Sequence, residues 1–330
     1  GTTAAWGGIV INGGPGSPEN QMSHTHLEFN GSTAIEVAGG TVHLDHLTFG
    51  NTERQYLALD GASFVVSHCT FPSSTSPFEL VHGTQGIKAG GHGIIRHCYF
   101  GTTSGYNDIV DFTGGNRATQ PIIHFLNNVF IGATDDILDL DNTDAWIEHN
   151  IFLHVHKNGS PDSASAISGG NDNGQPSQIT VIGNLFYDYG QAVTGKEQNF
   201  YVLLNNTIVR QTHQGGLDTD GAVVNLADEG KAEGSGMYLE GNIIQDAEKL
   251  VRNQVSAVVT LNDNLTSLTW DGPGTGNRNV DPLLNHVPSL EETSFNTWEE
   301  AQVLWNWFAL QPASPCVGSG PGGQDLGGVI

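Results

Sequence analysis

The chain has 330 residues, 37% of them apolar, which suffices for one large domain or two ordinary ones, and no apolar run reaches the ~18 residues a bilayer span needs. Its 35 acidic and 11 basic residues give a formal charge of −24, so a phosphate-backbone partner is excluded and with it nucleic-acid binding. Glycine fills 44 positions, well above the usual ~7% but without a G-x-y period, which excludes collagen. Asn, Ser, Thr and Gly replace the missing charge, and helix-forming stretches are nearly absent before residue 297, a composition expected of an all-β protein. The acidic, lysine-poor balance suits a secreted or cell-surface protein.

From its start the chain reads as a mature or excised segment, because Gly1 is not methionine and no charged-then-apolar leader follows. A short phrase then recurs, apolar-x-x-Asn or Cys-x-apolar: VSHCTF (66–71), IRHCYF (95–100), LNNVF (126–130), IEHNIF (147–152), VIGNLF (181–186), LLNNTI (203–208), LEGNII (239–244) and LNDNL (261–265). Its middle residue steps through Leu27, Leu47, Cys69, Cys98, Asn128, Asn150, Asn184, Asn206, Asn242 and Asn264, a base period of 22 with insertions of seven to fourteen. Between phrases lies a second strand: AIEVA (34–38), YLALD (56–60), GIKAG (86–90), IVDFT (109–113), ILDLD (137–141), AISGG (166–170), AVTGK (192–196), VVNLA (223–227) and LVRNQ (250–254). Short strands at fixed spacing, cornered by Gly, Asn and Asp, predict a solenoid of parallel strands, a parallel β-helix.

Stacked rungs place equivalent residues ~4.8 Å apart, so the asparagines are expected to form an interior amide ladder with the phenylalanines stacked beside it. Cys69 and Cys98 fall on the same ladder as small buried filler, and their adjacency leaves a disulfide open. With Cys316 the count is three, too few for a paired framework, and no C-x-x-C spacing suggests zinc. His154 and His156, at strand-alternating spacing, raise the thought of a transition metal; His68, His97 and His149 sit on the repeat phrase and read as corner residues. After residue 281 the repeat decays. TWEEAQVLWNWFAL (297–310) predicts a helix with Thr297 and Glu300 as a capping box, covering the open edges of the last rung and packing Trp298, Trp305, Trp307 and Phe308 against it. One domain over 1–330 is expected, with rungs over 1–281 and a C-terminal cap and closing segment over 282–330.

Side chains alternate along a strand, so the second strand presents two outward columns. The first runs Glu36, Ala58, Lys88, Asp111, Asp139, Ser168, Thr194, Asn225, Arg252, and the second Ala38, Asp60, Gly90, Thr113, Asp141, Gly170, Lys196, Ala227, Gln254. Two of the chain's five lysines, Lys88 and Lys196, thereby flank Asp111, Asp139 and Asp141. Carboxylates on neighbouring rungs repel unless protonated or bridged by a cation. Calcium, which takes six to eight oxygen ligands, is the natural bridge. The candidate ligands are Asp108, Asp111, Asp135, Asp136 and Asp139. Turn chemistry explains Asp108, Asp135 and Asp136, but not the outward strand positions Asp111 and Asp139.

The repeat and the closing phrase QPASPCVGSGPGGQDLGG (311–328) resemble the right-handed parallel β-helix superfamily of extracellular, polysaccharide-active, pectate-lyase-like proteins over nearly the whole length. An acidic residue in one coil followed by D-D-x-x-D in the next is similar to the calcium site of family 9 pectate lyases, and this likeness implies that Asp108, Asp135, Asp136 and Asp139 hold Ca2+. It also implies bacterial origin, a complete C-terminus and a polysaccharide partner that contains uronate, and the chain is expected to be a monomer. The sequence departs from the pattern at the base, since that family's lysine lies on the rung after D-D-x-x-D, where this chain has Ala166, Ile167, Ser168 and Gly169.

β-Elimination from a uronic acid needs a base for the C5 proton and positive charge on the carboxylate. Lys196, two rungs beyond Asp139 and so ~10 Å along the axis, is the first choice of base, and Lys88 the second. Arg117 is placed to hold a substrate carboxylate bidentately. Asp141, Ser168 and Lys157, the last in an insertion able to fold over the groove, are expected to touch substrate. Two alternatives remain in view: a glycoside hydrolase using paired aspartates, and a non-catalytic carbohydrate-binding surface module. Polygalacturonase segments occur here in the wrong order, with Gly91-His92-Gly93 ahead of the aspartates, and a plain shaft would not concentrate Lys and Asp between residues 72 and 200. A charge of −24 also repels a polyuronate at long range, so an anionic substrate must be bridged by cations or met at high ionic strength.

Overall fold

The computed structural model describes residues 6–28, 31–50, 52–118, 120–156, 164–212, 221–228 and 230–328. Within them each period of the sequence becomes one rung of a parallel β-helix, giving a strand to each of three sheets. The first two sheets merge through the continuous strand Leu57–Ser67 into 19 strands, and the third has 10. Register is parallel from rung to rung: Val110, Leu138, Ile167, Val193 and Val224 align in the first sheet. Phe125, Ile147, Val181, Leu203 and Leu239 align in the second. Phe100, Phe130, Phe152, Phe186 and Ile208 align in the third. These columns point inward and are fully buried, each such side chain contributing roughly 1.5–3 kcal/mol of hydrophobic stabilisation.

At the corner between the second and third sheets the amide ladder is present. The Oδ1 of Asn150 accepts from both the backbone N and the Nδ2 of Asn128, each at 2.9 Å, and Asn184 does the same for Asn150 at 2.8 and 3.0 Å. The pattern runs on through Asn206, Asn242 and Asn264 to Asn277. Each buried amide therefore satisfies its own donors and a backbone N–H of its neighbour. Cys98 and Cys69 take the same place with sulfur as the weaker acceptor, and both are free thiols. The residue before each ladder position turns the chain in the left-handed region, as at His68 (φ 51°), His97 (52°) and His149 (54°), so these histidines are corner residues. Beside the ladder the phenylalanine rings stack, Phe71 on Phe100 at 4.6 Å and Phe100 on Phe130 at 4.7 Å between centroids.

Two expectations need correction. Leu27 pairs with Phe49 and so belongs to the phenylalanine column; Thr25, whose carbonyl receives Thr48 N, holds the corresponding ladder position. The C-terminal segment does contain helix, Trp298–Ala301 and Val303–Trp307, broken at Gln302, with Thr297 Oγ1 accepting from Glu300 N at 3.2 Å. It does not close the last rung, however; it lies along the outer face of the third sheet. That face is apolar, with Tyr99, Val129, Ile151, Leu185 and Val209 buried against Phe295, Leu304 and Phe308. Tyr99 Oη donates to Phe295 O at 3.0 Å and Trp298 Nε1 to Asn127 O at 2.6 Å. At the open end Leu268 and Trp270 pack onto the core instead. No helix among the described residues is long and apolar enough to cross a membrane.

Candidate active site

Along the first sheet the outward column runs in unbroken register: Glu36, Ala58, His82, Asp111, Asp139, Ser168, Thr194, Asn225, Arg252. It matches the sequence-derived column at every position but one, where His82 replaces Lys88. Lys88 follows the strand Val81–Ile87, and its Nζ donates to Gly14 O at 2.9 Å and to Thr41 Oγ1 at 3.5 Å. It thus ties early rungs together instead of entering the aspartate cleft.

The aspartates before each strand share one local device. Asp108 Oδ1 accepts from Asp136 N on the next rung at 2.9 Å, and Asp136 Oδ1 accepts from Ser165 N on the rung after at 2.7 Å. One oxygen of each carboxylate is thereby spent on fixing its rotamer over the neighbouring coil. Asp108, Asp135 and Asp136 bring one carboxylate oxygen each to within 4.8 Å of one another. Asp139 joins them from the strand, with an Oδ1 that is buried and has no hydrogen-bond partner. Burial first, then the charges of Asp139, Asp136 and Asp135, pushes the Asp108 carboxyl well above the usual carboxylate range. Burial, then Asp141 and Asp136, does the same to Asp139. Negative charge held this tightly fits a hard divalent cation of the calcium class, bound by several carboxylate oxygens. Asp111 stands apart from this group: its Oδ2 lies 3.3 Å from His82 Nδ1.

Lys196 enters the same cleft from two rungs along. Gly170 occupies the intervening rung in its column, and a Cβ built there would lie 3.2 Å from Lys196 Cε and 2.9 Å from Asp141 Oδ1, so the lysine stem runs back over the glycine. Its Nζ is 3.9 Å from Asp228 Oδ2. Burial pushes the Lys196 ammonium down, but the carboxylates of Asp139, Asp136, Asp141 and Asp228 outweigh it and hold the pKa above the ordinary lysine value. The cleft, about 220 Å³, is lined by these groups and by Tyr106, Ser168, Thr194 and Asn225. Ser168, in register between Asp139 and Thr194, forms its floor. Asp141 Oδ1 accepts from Gly170 N.

The remaining sequence candidates lie elsewhere. Arg117 donates from Nη2 to Ala145 O at 3.1 Å, Gln178 O at 3.2 Å and Thr180 Oγ1 at 3.3 Å, a clasp on the second sheet outside the cleft. Lys157 falls outside the described residues. His154 and His156 converge on Asp188, at 2.6 and 3.2 Å, in a cleft of about 660 Å³ beside the C-terminal segment. Although that cleft is larger, His154 and His156 are bonded to Asp188 within it, whereas in the aspartate cleft the buried Asp139 Oδ1 has no hydrogen-bond partner. What the sequence reading missed is His82, with Glu79 beside it at 2.8 Å; Asp111 first and Glu79 next hold the ring's pKa up, to about 10.

Neither a family model nor a curated protein matches the chain. Among solved structures, a crystal structure of pectate lyase Pel9A is similar at 16% identity and a TM-score of 0.51, over 99% of this chain and 84% of that one. The chain therefore has a pectate-lyase-like parallel β-helix fold.

Proposed function

We propose that the protein is an extracellular polysaccharide lyase that cleaves a uronate-containing glycan by cation-dependent β-elimination. The observation that carries this reading is the meeting of Lys196 with Asp108, Asp136 and Asp139 in one cleft, on the fold that this chain has in common with a pectate lyase.

In this reading Asp108, Asp135, Asp136 and Asp139 would hold a calcium-class ion. When bound, such an ion supplies positive charge to the substrate carboxylate, which acidifies the neighbouring C5 proton. Lys196 Nζ takes that proton, the C5 electron pair forms the C4–C5 double bond, and the glycosidic C4–O bond breaks with its electrons leaving on oxygen. A base must first be neutral. Once the charge on Asp136, Asp139 and Asp141 is compensated, Asp228 alone among these carboxylates still favours the ammonium, against burial, which lowers its pKa. Ser168, Thr194 and Asn225 offer hydroxyl and amide groups along the same groove to orient sugar hydroxyls.

The test is a panel of polyuronates assayed for the ultraviolet absorbance of an unsaturated product. Activity is expected with calcium, lost with excess chelator, and lost in Lys196→Ala with the fold intact. Reducing ends released without that absorbance would replace the lyase with a hydrolase, and neither signal would leave a binding module.

A further inference from the structure

Beside the aspartate cleft, on the rung of Asp108 and the rung before it, Glu79, His82 and Asp111 form a second cluster of metal-binding type, each able to bring one ligand atom within 4.8 Å of the others. His82 Nδ1 lies 2.8 Å from Glu79 Oε1 and 3.3 Å from Asp111 Oδ2. The nitrogen is buried, yet it has no hydrogen-bond partner, so it touches two carboxylates without a directed bond to either. Two donors that share a metal ion at ~2.1 Å, at angles of 90–109°, sit roughly 3.0–3.4 Å apart, close to the spacing found here. The cluster also has support behind it. Gln55 Nε2 donates to Glu79 Oε1 at 3.0 Å, and Thr33 Oγ1 donates to Gln55 Oε1 at 3.3 Å, both from buried residues. A hydrogen-bonded chain that fixes a carboxylate in this way is the usual setting of a ligand.

We propose that Glu79, His82 and Asp111 form a second divalent-metal site, which takes a borderline transition ion of the Zn2+ or Co2+ kind. One imidazole nitrogen with two carboxylate oxygens suits such an ion and suits calcium poorly, because calcium takes oxygen donors. The ion would pin the coil carrying Glu79 and His82 to the next rung at Asp111, whose register neighbour is Asp139. The site is separate from the aspartate cleft and does not depend on the reaction proposed there.

The experiment is a titration of the metal-stripped full chain with Co2+, followed by its visible ligand-field absorption, with Zn2+ calorimetry alongside. One equivalent is expected, with affinity reduced at least ~10-fold in His82→Gln and unchanged in Asp136→Asn. The corner group His24, Asp45 and His46 can also gather ligand atoms, so His46→Gln is the control. Loss of binding in His46→Gln with retention in His82→Gln would overturn the proposal. So would a wild-type chain that binds neither ion. Circular dichroism of each variant separates loss of a ligand from loss of fold, and Asp111→Asn, which keeps shape and removes charge, must reproduce the His82→Gln result.

Discussion

Gly170→Ala tests whether Lys196 does its work by leaning across an empty position. The added Cβ would stand 2.3 Å from Glu197 Oε2, 2.9 Å from Asp141 Oδ1 and 3.2 Å from Lys196 Cε, and Gly170 carries no left-handed φ that would strain an alanine by itself. Ordinary contacts begin near ~3.5 Å, so the Glu197 carboxylate must retreat by about an ångström and the lysine stem by a few tenths. Overpacking of this kind costs typically ~1–3 kcal/mol, a drop of a few degrees in melting temperature. A displacement of ~1 Å at a reacting group costs on the order of 100-fold in rate, so a shift of a few tenths at Lys196 should slow turnover of polyuronate by a smaller factor, roughly 3- to 5-fold. Initial rates of unsaturated product and a thermal melt, taken on the same preparation, separate the two effects. Since both changes act through one base, Gly170→Ala with Lys196→Ala should be no slower than Lys196→Ala alone. A Gly170→Ala protein that melts lower yet turns over at the wild-type rate would refute the reasoning, because the Cβ would be felt while the position of Lys196 would not matter.

Stability should depend on pH in a direction set by the raised carboxyls. Asp108 and Asp139 keep protons in the folded state that the unfolded chain releases near pH 4, so their contribution is full below about pH 4 and is lost as pH rises toward their folded values. The slope is at most ~1.4 kcal/mol per pH unit for each retained proton. Urea midpoints in chelator should therefore fall with rising pH, calcium should flatten the fall, and Asp139→Asn should remove its own share. Asn150→Ala leaves Asn128 N and Nδ2 without their acceptor and Phe125 O without its donor, and should cost upwards of ~3 kcal/mol by chemical denaturation; an equally stable variant would show that the amide ladder is not structural. Cys69, Cys98 and Cys316 are all buried free thiols, so a thiol reagent should find three equivalents only after denaturation, without prior reduction.

The rungs were legible because the period, the Asn ladder and the Phe column are repeated in the letters themselves, and repetition averages out local ambiguity. Single positions fared less well where averaging does not help. Leu27 was misplaced by two residues, a shift that keeps a strand residue pointing inward, so alternation of apolar and polar residues is blind to it. Lys88 was misplaced because Cys69 and Cys98 are 29 apart instead of 22, and spacing alone cannot tell whether the extra residues precede or follow the strand. Most of them follow it: Val81, twelve residues after Cys69, pairs with Leu57, ten after Leu47, so two precede the strand and five follow, and the register shifts between Asp60 and Ala62. The triplet Leu80-Val81-His82, apolar-apolar-polar like Ile109-Val110-Asp111 and Ile137-Leu138-Asp139, was the available signal, weaker to the eye than the glycine-framed GIKAG. The seat of the C-terminal segment was readable too. On the third sheet both residues of the strand Tyr99–Phe100 are buried, a two-sided apolar strand that requires cover.

The rung that lacks the expected lysine and the rung that supplies one are parts of a single arrangement. Ala166, Ser168 and Gly170 make that coil small on its outward side, and only a small coil lets a side chain from the next rung lie flat across it. A lysine there would occupy the space that Lys196 now uses. The departure from the sequence pattern therefore does not remove the cation from the cleft; it moves the anchor one coil further along the axis. It also sets the ammonium 3.9 Å from Asp228, in the cleft it shares with Asp139. In the proposed reaction a base held in this way would be silent until the charge around it is neutralised, which would tie its readiness to the occupancy of the aspartate cleft more tightly than for a solvent-exposed lysine.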